Sequence, residues 1–140
     1  MPQELVVLDQ LTKRFGQLLA VDKISLVVKT KQVLGFLGPN GAGKSTTMKM
    51  ISGFLEPTAG LVCVAGHEIT NEPVKVKSCI GYLPEGAPTY GDMTPYSFLE
   101  FIAKIRGFDG KDRSISIDKV VERVRLKEVL FQPIETLSKG

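Results

Sequence analysis

The segment Gly38-Pro39-Asn40-Gly41-Ala42-Gly43-Lys44-Ser45-Thr46 constrains this chain more than any other. It has the spacing G-x-x-x-x-G-K-[ST], with Gly38, Gly43, Lys44 and Ser45 at the fixed positions. Each position has a physical task. The glycines let the backbone curl tightly enough for successive N–H groups to converge on the oxygens of a phosphate. A helix that starts at Lys44 aims the positive end of its dipole at the same anion. Lys44 adds a mobile cation for terminal phosphates, and the Ser45 hydroxyl is a hard oxygen ligand suited to Mg2+.

Such a loop works between a strand and a helix, and the flanking sequence supplies both. Residues 33–37 (Val33, Leu34, Gly35, Phe36, Leu37) are almost wholly apolar, which predicts a strand buried on both faces of a parallel sheet. After the loop, Met48, Ile51 and Leu55 recur at helical spacing, and Gly53 and Pro57 end the run. With strand, loop and helix in the required order, a chance Gly-rich turn explains less than a phosphate site does. The loop alone specifies a phosphate rather than a nucleotide.

Elsewhere, residues 5–11 and 24–28 read as strands, with polar turns at Asp22 and Lys23 and at residues 29–31. Residues 61–65 predict another strand, closed by Gly66. A short helix is expected from Glu72 to Lys77, and residues 79–83 predict a further buried strand ended by Pro84. From Thr94 the pattern turns helical. Thr94 is a good N-cap and Pro95 suits the first helical position. Phe98, Phe101, Ile102 and Ile105 form an apolar stripe closed by Gly107. Ile117, Val120, Val121 and Val124 repeat that spacing after a polar segment at 109–114. Both stripes predict core packing.

The 140 residues suffice for a domain with a real core. A net charge of +3 without a Lys/Arg cluster argues against a nucleic-acid partner. Cys63 and Cys79 form no C-x-x-C pair and lie in apolar runs, which predicts two buried free thiols in a reducing cytosol. His67 has no nearby ligand cluster and reads as a turn residue. The N-terminus does not resemble a signal peptide, and no apolar run approaches a membrane span. A membrane role is therefore expected to come through a partner.

Further landmarks fall in a fixed order around the loop. Phe15 lies in Leu11-Thr12-Lys13-Arg14-Phe15-Gly16, 23 residues before Gly38. Glu85 follows Gly81-Tyr82-Leu83-Pro84, 41 residues after Lys44, and the chain closes with Leu137-Ser138-Lys139-Gly140. In this order the landmarks resemble the ATP-binding domain of ABC transporters, from its N-terminus into its signature motif, over essentially the whole chain. The resemblance implies an α/β P-loop NTPase fold: a RecA-like core, an antiparallel β subdomain and the start of a helical subdomain, in truncated form. Residues 1–85 would form the β subdomain and P-loop core, and residues 86–140 the helical subdomain up to the signature motif.

The resemblance also implies roles. Residues 38–46 would cradle the phosphates of ATP. Phe15 looks like the aromatic residue that stacks on adenine, for which a flat π face suffices. Glu85 matches the family's Q-loop glutamine, which reaches the metal and the attacking water, so Ser45 and Glu85 would face Mg2+. Glutamate there can still ligate the metal, and it is familiar in exporter-type branches. Leu137, Ser138, Lys139 and Gly140 resemble the opening of a signature motif that is usually Leu-Ser-Gly-Gly-Gln, with Lys139 replacing a glycine. In the family this motif meets the γ-phosphate held by a second ATP-binding domain, in a homo- or heterodimer. A membrane-spanning permease subunit would be the other partner, near Tyr90, Met93 and Phe98, placing the chain on the cytoplasmic face of a membrane.

The family's Walker B strand, catalytic glutamate, D-loop and switch histidine follow the signature motif and have no counterpart here. Asp109, Asp112 and Asp118 do not follow an apolar strand, and His67 comes too early. The chain as given is thus expected to bind nucleotide weakly without turnover. The absent strands would flank residues 33–37, which are then expected to expose apolar surface and an unpaired edge. Two alternatives remain: a soluble ABC ATPase of translation or repair type, and a non-catalytic binding module. A small-molecule kinase would leave the Leu137–Gly140 ending unexplained.

Overall fold

The computed structural model describes residues 3–84 and 90–137. The chain divides into two compact units, Met1–Leu83 and Pro84–Gly140. In the first, β1 (Glu4–Phe15) and β2 (Leu18–Lys29) form a long antiparallel hairpin. Helix α1 (Lys44–Ile51) follows the phosphate loop, then come β3 (Ala59–Val64), the two-residue β4 (His67–Glu68) and α2 (Pro73–Cys79). The four strands form one antiparallel sheet in the order β2-β1-β3-β4.

The hairpin turns at Gly16 and Gln17, and both strands are longer than the apolar patterns suggest. Asp22 and Lys23 do not form a turn but lie inside β2. Lys23 has a positive φ of 47°, and its N–H donates to Thr12 Oγ1 at 3.2 Å. Gln10, with φ 48°, kinks β1 in the same way, its N–H donating to Ser25 Oγ at 2.9 Å. These irregularities use the polar chemistry of turns within a continuous ladder. The kink at Gln10 also shifts the phase of β1, so that Leu8 and Leu11, three residues apart, are both buried.

One core joins these elements: Leu8, Leu11, Val21, Val62, Val64 and Ile69 from the sheet side, with Met50 of α1 and Val76 of α2. Full burial of a Leu or Val side chain stabilises by about 1.5–3 kcal/mol. In α1 the buried positions are Thr47 and Met50, whereas Met48 is exposed. Of the expected stripe, Ile51 and Leu55 pack against this core and Met48 does not.

Residues 33–37 and 80–83 make no ladder, contrary to expectation. Val33 and Leu37 are 97% and 94% exposed, and Leu83 is also exposed. Among the described residues no strand pairs with either segment, although Ile80 packs against the core and the Tyr82 ring lies 5.1 Å from that of Phe54. Cys79 is the last residue of α2 and is exposed, while Cys63 is half-buried in β3, so the expectation of two buried thiols fails. Burial and the nearby Glu68 carboxylate push the Cys63 thiol up from its ordinary pKa.

In the second unit, α3 (Pro95–Ile105) packs on α4 (Gly110–Arg123), and short 3-10 turns follow at Lys127–Val129 and Ile134–Thr136. Thr94 and Ser97 form a capping box: Thr94 Oγ1 accepts from Ser97 N–H at 3.2 Å, and Ser97 Oγ accepts from Thr94 N–H at 3.0 Å. The buried centre is Ala103, Ile117 and Val121, packed by Tyr96, Leu99, Leu126 and Leu130. Two corrections follow. Phe101, Ile102 and Ile105 are exposed, as are Val120 and Val124, so neither expected stripe is wholly core. The polar residues 110–114 belong to α4, since a helix carries polar side chains on its outer face without loss.

Candidate functional site: a phosphate loop braced by a hairpin

The loop at residues 38–46 leads into α1 through Gly43, the N-cap, in left-handed conformation with φ 80°. A Cβ there would stand 2.4 Å from the Ala20 carbonyl oxygen and 3.0 Å from Val21 Cγ2. Only glycine satisfies both the backbone angle and this approach. The loop is thereby seated directly on β2. Gly41 also has a positive φ, 85°, but nothing lies near its Cβ position, so its constraint is conformational alone. Pro39 to Ala42 close a turn through Ala42 N–H to Pro39 O at 3.3 Å, with Asn40 at its exposed tip.

Thr47 fixes the helix to the loop. It is fully buried, and both its N–H and its hydroxyl donate to Gly43 O, at 2.8 and 2.9 Å. The first N–H groups of α1, those of Lys44, Ser45 and Thr46, have no acceptor within the helix. No acidic residue occupies its first turn. Lys44 Nζ donates to Gly38 O and Pro39 O at 2.7 and 2.6 Å, which parks the cation across the loop. A phosphate oxygen would replace these neutral acceptors with a charged one, giving a stronger bond. The unpaired amides, the helix dipole and Lys44 converge, and this arrangement fits a polyphosphate. The exposed Ser45 side chain fits the single hydroxyl ligand that such loops give to a magnesium ion. Among the described residues no group of three or more His, Cys, Asp or Glu could hold a metal by itself.

Phe15 ends β1 and pairs with Leu18 across the tight turn. The residue is 48% exposed. The same hairpin end supplies Ala20 and Val21, against which Gly43 sits. The structure thus brings the strand end bearing Phe15 to the phosphate loop. Two neighbours escaped sequence reasoning: the Ala20–Val21 seat, and Lys13, whose Nζ lies 5.2 Å from the Phe15 ring centroid. The i, i+2 spacing of Lys13 and Phe15 in a strand was the available signal for the second.

Glu85, Ser138, Lys139 and Gly140 lie outside the described residues. Leu137 is half-buried in the second unit, its N–H donating to Ile134 O at 3.0 Å. In that unit Tyr90 meets Phe101 edge-on at 6.3 Å, and Met93 and Phe98 are half-buried. His67 stands in β4 rather than in a turn and makes a 2.9 Å contact from Nδ1 to Glu72.

The loop, its helix and the braced sheet define a P-loop NTPase domain of the ATP-binding-cassette kind. The ABC transporter family model matches residues 21–140, and the chain belongs to that family. It is 35% identical over 140 residues to the probable multidrug ABC transporter ATP-binding protein YbhF of Escherichia coli (strain K12), covering 99% of this chain and 24% of that protein. It is 39% identical over 124 residues to human ATP-binding cassette sub-family A member 10, covering 87% of this chain and 8% of that one. The chain therefore spans a quarter or less of the length of these curated relatives. A solved ATP-binding subunit of an ABC transporter superposes with a TM-score of 0.83 at 26% identity, over 97% of this chain and 57% of that one. The cbiO1 protein of Clostridium perfringens, part of the cbiONQ transporter complex, matches with a TM-score of 0.82 at 21% identity and supports the fold alone.

Proposed function

We propose that this chain is the nucleotide-gripping part of an ABC transport ATPase, binding ATP with Mg2+ on the loop at residues 38–46. The observation that carries the proposal is the convergence of Lys44, the open amides of α1 and the Gly43 seat on β2. In this reading the loop amides and Lys44 hold the β and γ phosphates, and Phe15 stacks on the adenine ring. Bound Mg2+ would neutralise charge on the β and γ phosphates, with Ser45 and Glu85 as its protein ligands. Leu137 and Ser138 to Gly140 would meet the nucleotide of a second ATP-binding domain.

The partners proposed are a membrane-spanning permease and a second ATP-binding domain, at the cytoplasmic face of a membrane. No helix among the described residues is long and apolar enough to cross a membrane. Export is the favoured direction, from Glu85 at the Q-loop position and from the name of the YbhF relative. The 140 residues themselves supply the phosphate grip and no acidic group in a Walker B setting. We infer that this chain alone binds ATP weakly and does not turn it over.

Calorimetric titration of the 140-residue chain with Mg-ATP, beside a phosphate-release assay, tests both parts. ATP binding that disappears in Lys44→Ala with an unchanged melting curve is the expected outcome. A parent chain that ignores ATP defeats the binding proposal. Turnover that Lys44→Ala abolishes defeats the claim of inactivity.

A further inference from the structure

Lys13 and Phe15 lie two residues apart on β1, so their side chains leave the strand on one face. Lys13 Nζ sits over the Phe15 ring, 5.2 Å from its centroid. The same ammonium donates to the Glu56 carbonyl oxygen at 2.7 Å. Glu56 belongs to the segment that leaves α1, the helix that begins at Lys44. That segment is bonded to β1 twice more: Thr58 N–H donates to Thr12 O at 2.9 Å, and Thr58 Oγ1 accepts from Arg14 N–H at 3.0 Å. Lys13 is thus held by a fixed acceptor, on a part of the chain tied to the phosphate loop through α1. Its charge covers one face of a ring that is otherwise half open to solvent.

We propose that Lys13 is a positioning residue for the nucleotide base: it clamps one face of Phe15 so that adenine stacks on the other. The proposal rests on Phe15 as the adenine-stacking residue. Two effects act together. A cation over an aromatic face is attracted by the ring quadrupole, which limits the orientations the exposed ring can take. A ring oriented before the ligand arrives loses less freedom on binding. The cation also draws π density toward itself, leaving the far face a better partner for the electron-rich purine. The side chain of Arg14, the intervening residue, leaves the strand on the opposite face, so only its backbone N–H takes part, through Thr58.

The test compares two probes, Mg-ATP and inorganic tripolyphosphate, because only the first carries a base. Lys13→Met should weaken ATP binding about fivefold and leave tripolyphosphate binding unchanged. Lys13→Arg should restore ATP binding, since a guanidinium also stacks on aromatic faces and donates to a carbonyl. In a Phe15→Ala background, Lys13→Met should have no further effect. The ratio of the two affinities, measured on one sample, does not depend on the fraction of chain folded. Should Phe15→Ala leave that ratio unchanged, the stacking role of Phe15 fails. Should Phe15→Ala lower it while Lys13→Met leaves it unchanged or raises it, Lys13 is no clamp. Equal weakening of both probes by Lys13→Met would mean that its charge serves the phosphates, which also overturns the proposal.

Discussion

Leu11 and Val33 are both aliphatic residues in strand-like runs of the same unit, yet Leu11 is wholly buried and Val33 is almost wholly exposed. β1 has ladders on both sides, to β2 and to β3, with Met50 among the core residues that pack with its inward face. Residues 33–37 have a more uniformly apolar composition and no ladder at all. A strand's stability comes from its neighbours: cross-strand pairs and a covered face turn β propensity into structure. The loop that follows is nevertheless fully shaped. It is held from its other end, by Gly43 on β2 and by Thr47 under α1, rather than by the segment that leads into it.

The largest effect should separate those two regions directly. Leu11→Ala removes a core side chain and should cost about 2–5 kcal/mol. Val33→Ala should change stability by less than about 0.5 kcal/mol. Chemical denaturation of the two variants measures the contrast, and an equal loss would mean that residues 33–37 are buried in solution. A smaller effect tests where the loop is anchored. Gly43→Ala meets both the Ala20 carbonyl and a left-handed backbone, for a cost of about 2–4 kcal/mol. Gly41→Ala meets open space and only the backbone penalty, about 1–2 kcal/mol. If the two substitutions prove equally costly in thermal melts, the loop does not sit on β2.

The smallest effect concerns the far edge of the sheet. Lys75, hydrogen-bonded to Glu72, and then His67 hold the Glu72 carboxyl below the usual glutamate range, against a smaller opposing effect of burial. A depressed carboxylate pKa stabilises the fold above the pKa of the unfolded chain, about 4.3, and that contribution is lost as pH falls through the lower folded value. The melting temperature should therefore fall slightly more steeply below pH about 4.3 in the parent chain than in Glu72→Gln. Identical slopes would mean that the β4–α2 contact contributes nothing.

Much of the fold was legible because local chemistry decided it. Thr94 and Pro95 mark the start of α3, where the cap hydrogen bonds are made within four residues. Gly53, with φ 71°, ends α1 as its position suggested. The motif at residues 38–46 was legible for the same reason, since its function is a property of one short backbone path. What failed were readings in which the neighbour, rather than the local pattern, decides the outcome. Asp22 and Lys23 read as a turn because a bulge inside a ladder uses the same residues. Cys79 and residues 80–83 read as a buried strand because apolar composition does not say whether a partner strand is present. Phe101 and Ile105 read as core because a helical stripe shows that one face is apolar without showing what covers it.

The sequence by itself determined the phosphate loop, the family and the start of α3, because spacing and capping chemistry are written in contiguous residues. Only the tertiary structure decided that the loop is seated on β2 through Gly43 and that Lys13 stands over Phe15 while bonded to Glu56. It also decided which apolar runs are buried. The Lys13–Glu56 bond alone joins residues 43 positions apart, where strand register and the path of the chain, rather than local propensity, bring the atoms together.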